Sequence, residues 1–161
     1  MKTTPEGPLS ADALEEAKAG SVLELLFRTA RLTNEAALAR VRERSGLPLR
    51  PAHTSLFPHI DLGGTRLTVI AERLGVSKQA VAPLVDELVD LEVLEKVDDP
   101  ADGRAKLIVF ARGGHRLLEG LAVLGEVEAE LEARVGRRRI RALRSTLLEL
   151  LDLAASMQPS D

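Results

Sequence analysis

Two short apolar-patterned segments meet at a glycine in the middle of this chain, and no other feature restricts the fold as strongly. The stretch LTVIAERLGVSKQAVAPLVDEL, from Leu67 to Leu88, has apolar residues at helical spacing on both sides of Gly75. Glycine tolerates the positive φ of a tight turn, and Ala71 is small enough for a second helix to cross closely. The pattern predicts a helix-turn-helix, although two ordinary core helices joined by a glycine turn satisfy it as well.

The two helices carry capping residues and a shared apolar face. Thr68 and Ser77 are each placed as an N-cap. Pro83 removes a backbone donor at a cost of about 3 kcal/mol, so the second helix is expected to kink outward beyond its first turn. The residues expected to hold the helices together are Ile70, Leu74, Val76, Val81 and Leu84, with Val85 and Leu88 on the same face as the last two.

The opposite face of the second helix suits contact with DNA. Gln79 is the type of residue that pairs with an adenine edge, and Ala82 and Pro83 are expected to point outward beside it. Ser77 and Lys78 lie at the helix N-terminus, where phosphates bind favourably. Without a DNA role, Lys78 would be an ordinary solvated lysine.

A β-hairpin is predicted to follow directly. Two β-rich pieces, Val93–Val97 and Lys106–Phe110, flank a segment that contains the turn formers Asp-Pro and Asp-Gly. Residues 98–104 are therefore expected to form a long, mobile tip. A basic hairpin after a helix-turn-helix makes the unit a winged helix.

The stretch from Val22 to Leu118 resembles the MarR family of bacterial winged-helix transcription regulators. The residues that carry the resemblance are TRLTVIAERLGVSKQAVAPLVDELVDLEVLEKVDDPADGRAKLIVFARGG. The resemblance implies an obligate homodimer, with interlocked terminal helices and one recognition helix per subunit in a major groove. Family members often have Thr or Arg on that helix where this chain has Ala80, Ala82 and Pro83.

The resemblance also implies roles in the wing. Arg104 would enter the minor groove, braced by Asp102 two residues earlier, and a carboxylate beside a guanidinium is physically sensible there. Lys106 and Arg112 would contact phosphates. The alternative for Asp102 and Arg104 is an ordinary turn with a local ion pair.

Helices are predicted on both sides of this unit, so the expected fold class is mainly α with a small β-hairpin wing. One long helix runs from Leu14 to about Arg44, and a short one, PAHTSLFPHI, begins at Pro51. Two more span about 115–135 and 138–157. Residues 1–10 are expected to be a flexible tail and residues 11–161 a single subunit. Within that subunit, 14–62 and 114–157 would supply dimerisation helices and 63–113 the DNA-binding lobe.

The last helix carries an apolar stripe that would be exposed in a monomer. This favours a homodimer over simple intramolecular packing. The arginine-rich run RVGRRRIRALR precedes the stripe and either pairs with acidic residues of a partner or forms a solvated face. The stripe consists of Leu143, Leu147, Leu150, Leu151 and Ala154.

A small-molecule effector is a further expectation, since similar regulators often sense one between the dimer helices and the DNA-binding lobe. Arg28, His53, Phe57 and His59 lie in segments that could line such a crevice, although each also fits a structural role.

Other functions find little support in the composition. No cysteine is present, which excludes disulfides and thiolate metal sites, and His53 and His59 do not have the spacing of two ligands on one helix. We expect no catalytic residue, metal or cofactor, no membrane span or signal segment, and a cytoplasmic protein. The formal net charge of −3 requires the basic groups of any DNA-binding surface to be concentrated. The alternative is a winged-helix interaction module that has lost DNA binding.

Overall fold

A long helix that is capped at both ends follows Ser21. The computed structural model describes Ser10, Glu15 and residues 19–112 and 115–157. Helix α1 spans Val22–Ser45, and the Ser21 hydroxyl accepts a hydrogen bond from the Glu24 backbone N–H at 3.3 Å. Gly46, with φ +69°, confirms the predicted end. The prediction of one continuous helix is wrong, because Ser21 has an extended backbone that interrupts it. The predicted start at Leu14 and most of the predicted tail over residues 1–10 lie outside the described residues.

The segment after α1 forms two short turns of helix instead of the single helix expected. Helix α2 spans Pro51–Thr54, with the proline at its start as predicted, and a 3-10 turn spans Phe57–His59. Pro58 has no N–H to donate to the preceding turn, which explains why α2 does not continue.

The helix-turn-helix is present. Helix α3 spans Leu67–Leu74, Gly75 has φ +66°, and helix α4 spans Lys78–Asp90 without interruption at Pro83. Ser77 caps α4, because its hydroxyl accepts a hydrogen bond from the Ala80 backbone N–H at 3.2 Å. The cores of both helices are buried as predicted, at Ile70, Ala71, Val81, Val85 and Leu88.

Two predictions about this unit are wrong. Thr68 is the second residue of α3 and not its N-cap, since Arg66 holds that position without a side-chain hydrogen bond. Val76 is exposed and does not hold the helices together. The turn directs Val76 outward, while Leu74 before it packs against the core.

The wing is a three-stranded antiparallel sheet. Strand β1 spans Thr65–Arg66, β2 Leu94–Asp99 and β3 Asp102–Phe110, in the order β1-β3-β2. Because β2 and β3 run almost to the turn, the long tip expected over residues 98–104 is wrong. Strand β1 was not predicted, and it joins the start of α3 to the wing through the pairs Thr65 with Ile108 and Arg66 with Leu107.

Two long helices complete the described chain. Helix α5 spans His115–Val135 and α6 spans Arg137–Ser156, with Gly136 at φ +102° between them. Helix α1 packs on α5, and ion pairs join Arg40 to Glu130 and Arg44 to Glu126, the latter at 2.7 Å. The predicted fold class, mainly α with a small β wing, is confirmed.

Candidate nucleic-acid interface

A concave surface between the helix-turn-helix and the wing gathers basic side chains, and we call it the basic groove. Its volume is about 450 Å³. It brings together Lys78, Arg104 and Lys106, which the sequence had placed at a DNA interface, and adds Arg66 and Lys96, which it had not. The lining residues are Arg66, Leu67, Thr68, Lys78, Lys96, Arg104, Ala105, Lys106 and Ile108. Five of these nine are basic in a chain of net charge −3, so positive charge is concentrated here.

Two lysines of the groove are held by aspartates on neighbouring elements. Lys96 on β2 pairs with Asp86 of α4, and Lys106 on β3 pairs with Asp98 at 2.5 Å. Both are exposed pairs of a kind that contributes about 0–1 kcal/mol. The two aspartates orient the lysine ammonium groups, yet a phosphate group can replace either carboxylate at a small cost in free energy.

The wing tip is tied to the start of α3 by a buried carboxylate. Asp99 accepts hydrogen bonds from the Ala101 backbone N–H at 2.8 Å and from Arg66 Nε at 2.7 Å. The Ala101 bond, and after it the Arg66 bond, hold the pKa of Asp99 below its usual range. Asp99 stays ionised and fixes the orientation of the wing relative to the helix-turn-helix.

Asp102 and Arg104 interact differently from the expected brace. The Asp102 carboxylate accepts a hydrogen bond from the backbone N–H of Arg104 at 3.2 Å, and its other oxygen lies 3.7 Å from the Arg66 guanidinium. Asp102 therefore orients the main chain where β3 leaves the turn, and not the Arg104 guanidinium fork. The Arg104 side chain is exposed at the edge of the groove.

Helix α4 presents its first two turns next to the groove. Gln79, Ala80 and Pro83 are exposed, while Ala82 is half-buried. The Ser77 hydroxyl is engaged in the cap, and Lys78 faces the groove. Gln79, Ala80 and Pro83 are therefore accessible beside the groove, with Ala82 at the margin of this surface.

His53 joins α2 to α4 and is not exposed to a ligand. Its side chain is 1% exposed, Nδ1 accepts a hydrogen bond from the Arg50 backbone N–H at 3.3 Å, and Nε2 lies 2.9 Å from a Glu87 carboxylate oxygen. The hydrogen bond from His53, and after it that from Arg50, lowers the pKa of Glu87. His53 thus positions α4.

An apolar cavity of about 430 Å³ lies between α1, α5 and the base of the wing. Of the four residues predicted to bind an effector, Phe57 lines it and the others do not: His53 faces Glu87, while Arg28 and His59 lie elsewhere. The polar side chains in the wall are Asn34 and Thr54, which hydrogen-bond to each other at 2.8 Å. The remaining lining is Ala37, Leu38, Val41, Leu47, Leu49, Phe57, Pro58, Val93, Phe110, Gly120, Leu121, Val123 and Leu124.

Apolar side chains are exposed on α6 and at the start of α1. All five stripe residues of α6 are exposed, and so are Val22, Leu23, Leu25 and Phe27 at the start of α1. Two arginines of the arginine run pair with the chain's own α5: Arg134 with Glu130 at 2.8 Å, and Arg144 with Glu128 at 2.9 Å.

Within residues 19–112 and 115–157, no group of three or more His, Asp or Glu side chains is placed to hold a metal ion. No helix in these ranges is long and apolar enough to cross a lipid bilayer.

A helix-turn-helix followed by an antiparallel β-hairpin, with a basic groove between them, defines a winged helix-turn-helix. The model of the MarR family matches residues 47–105, which extend from α2 into β3. Over these residues the chain is similar to the MarR family.

Several solved structures share the fold across most of the chain. A MarR family transcriptional regulator from Rhodococcus sp. RHA1 is 22% identical, with a TM-score of 0.60 and coverage of 80% of this chain and 91% of that one. CouR from Rhodococcus jostii RHA1, bound to p-coumaroyl-CoA, is 21% identical, with a TM-score of 0.58 and coverage of 89% and 98%. BpsR from Bordetella bronchiseptica, whose DNA binding is regulated by 6-hydroxynicotinic acid, is 17% identical, with a TM-score of 0.55 and coverage of 91% and 99%. A comparison with curated proteins gives no match.

Proposed function

We propose that the protein is a cytoplasmic, sequence-specific DNA-binding transcriptional regulator that binds a pseudo-palindromic operator as a homodimer. The observation that carries the proposal is the basic groove beside the exposed first turns of α4. In an acidic protein, a concave cluster of five cations next to an accessible helix suits a polyanion with a groove.

Each part of this surface has a distinct role in the proposal. Helix α4 enters the major groove, and the wing lies over the flanking minor groove with Arg104 at its edge. Lys78, Lys96 and Lys106 contact phosphates, with the two wing lysines exchanging their aspartates for the DNA backbone. Asp99 and Asp102 do not touch DNA and hold the wing in place.

The rest of the chain would supply dimerisation and regulation. Residues 14–62 and 114–157 form the dimer, and residues 63–113 form the DNA-binding lobe. Repression is the mode we propose, with release by a small molecule that occupies the apolar cavity. Binding in the cavity would change the separation of the DNA-binding lobes of the two subunits, because α1 and α5 meet the base of the wing there.

The salt dependence of DNA binding tests the proposal. Affinity for duplex fragments should fall steeply as salt rises, because each phosphate contact releases counterions. Arg104→Ala should weaken binding about tenfold and leave the oligomeric state unchanged. The control is Arg138→Ala, which removes the same charge from α6 and should bind as the wild type does.

A second candidate function is protein interaction without DNA binding. The observation in its favour is that Lys96 and Lys106 already have carboxylate partners. A nearly flat salt dependence, with wild-type affinity in Arg104→Ala, would support this candidate and refute the assigned role of the wing.

A further inference from the structure

The outward face of α4 has an unusual chemistry for a base-reading helix. Burial of Val81, Val85 and Leu88 fixes the rotation of the helix, so Gln79 and Pro83 lie on the opposite side, one turn apart. Ala80 is exposed next to them. The base-facing part of α4 therefore presents one amide and two purely hydrocarbon side chains.

Lys78 is the sole basic residue of α4, and it lies about 100° around the helix axis from Gln79. It lines the basic groove with Arg66 and Arg104, on the side of the wing. Guanine is read in the major groove chiefly by an Arg or Lys that donates to O6 and N7. No such donor lies on the outward face of α4, so this helix lacks the means to select guanine.

The later turns of α4 do not extend the reading surface. Asp86 pairs with Lys96 in the protein without DNA, and Asp90 is a further exposed carboxylate. Negative charges along the helix repel the phosphates that border the major groove. Base contact is thereby restricted to the first two turns, from Lys78 to about Leu84.

We propose that α4 selects A·T base pairs, with Gln79 pairing with an adenine edge and Ala80 and Pro83 packing against thymine methyl groups. The C5-methyl of thymine is the apolar group that base edges present in the major groove, and it is the natural partner for side chains without polar atoms. This inference rests on the proposed function and adds the class of base pair that the recognition helix reads.

The test starts from duplex fragments that the full-length wild-type protein retains from a genomic pool. In the half-sites of the shared motif, thymines are replaced by deoxyuridine, which removes the methyl and keeps every hydrogen-bonding group. Affinity should fall roughly fourfold for each methyl contacted, the equivalent of one buried carbon. In Pro83→Ala the difference between the thymine and uracil probes should shrink, while that variant remains folded because alanine restores the missing N–H.

Two controls separate methyl contact from general weakening. Arg104→Ala should lower affinity for the thymine and uracil probes by the same factor, since a minor-groove contact does not sense the C5-methyl. Adenines replaced by 7-deazaadenine lose the N7 acceptor, which should weaken wild-type binding about tenfold and leave Gln79→Ala unaffected.

The outcomes distinguish this inference from the function on which it rests. A retained motif with G·C pairs under α4, or equal affinity for thymine and uracil probes, overturns the proposed A·T readout while a salt-dependent, sequence-specific regulator stands. Retention of no duplex at all overturns both.

Discussion

At the residue scale, His53 is the buried polar group on which the position of helix α4 depends most directly. His53→Ala leaves a cavity, removes the acceptor for the Arg50 N–H and separates α2 from Glu87 on α4. We expect a loss of about 2 kcal/mol in the free energy of unfolding, measured by urea denaturation.

The matched control is His59→Ala, at a half-buried position where the same truncation should cost under about 1 kcal/mol. Equal losses for the two histidines would contradict the assigned role of His53.

Asp99 makes the stability of the wing dependent on pH. The pKa of Asp99 is lowered in the folded state. Its contribution to the free energy of unfolding is therefore fully present above the ordinary aspartate pKa of about 4, and it is lost as the pH falls through the lower pKa of the folded state. Asp99→Asn keeps an acceptor for Ala101 but loses the charge that attracts Arg66. The variant should be less stable than the wild type at pH 7, and urea titrations at a series of pH values should show the two curves converging as the pH falls below the ordinary aspartate pKa. A constant difference between them would exclude this role of the ionised carboxylate.

Residues whose role is local could be predicted from the sequence, and residues whose partner is distant could not. Gly75 and Ser77 were identified because a positive φ and a cap each depend on neighbouring residues. Arg66 and Asp99 were missed, since the contact between them spans 33 residues and only the fold brings them together. Asp102 was named, but its partner atom could not be predicted. A contact with the Arg104 backbone N–H and a contact with the Arg104 side chain join the same two residues, so the sequence does not distinguish them.

At the scale of elements, strand β1 depends on a glycine that approaches β3 closely. Gly64 has φ +96°, and a Cβ there would lie 2.7 Å from Val109 Cγ1. Gly64→Ala therefore combines backbone strain with a clash, and we expect a loss of about 2–3 kcal/mol in the free energy of unfolding.

Gly63 provides the control for this prediction. A Cβ at Gly63 meets nothing within 4 Å, so Gly63→Ala should change the same urea-derived free energy by under about 0.5 kcal/mol. If the two substitutions cost the same, the close approach of β1 to β3 is not what stabilises the wing.

Element types followed from periodicity, whereas several element ends did not. Helix α5 begins and ends where apolar spacing predicts. Helix α4 ends in a C-cap motif in which the Val93 N–H donates to the Leu88 carbonyl. Such motifs usually have glycine at the left-handed position, but here Glu92 occupies it with φ 59°. No sequence signal marks that end. Strand β1 has two residues, too few for an alternating pattern, and exists because β3 offers it a free edge.

At the scale of the whole molecule, the exposed stripe on α6 and the exposed apolar start of α1 support the dimer proposed above, since exposed apolar patches mark interaction surfaces. Leu147→Glu places a charge in this stripe, and Leu151 on the same face is 66% exposed in the single chain. We expect the double substitution Leu147→Glu and Leu151→Glu to produce a folded monomer, because neither side chain belongs to the buried core.

The mass of this variant is measured by analytical ultracentrifugation. Its affinity for the operator is the second measurement, because the proposed complex is a symmetric dimer on two half-sites. A monomer engages one half-site, so it loses the gain from linking two binding events and should bind at least about a hundredfold more weakly. The control is Leu62→Glu, which adds the same charge at a position that is 93% exposed in the turn before β1 and should leave both mass and affinity unchanged. A double variant that stays dimeric would place the interface elsewhere. One that becomes monomeric with full affinity would show that a single lobe, and not a symmetric pair, recognises the DNA.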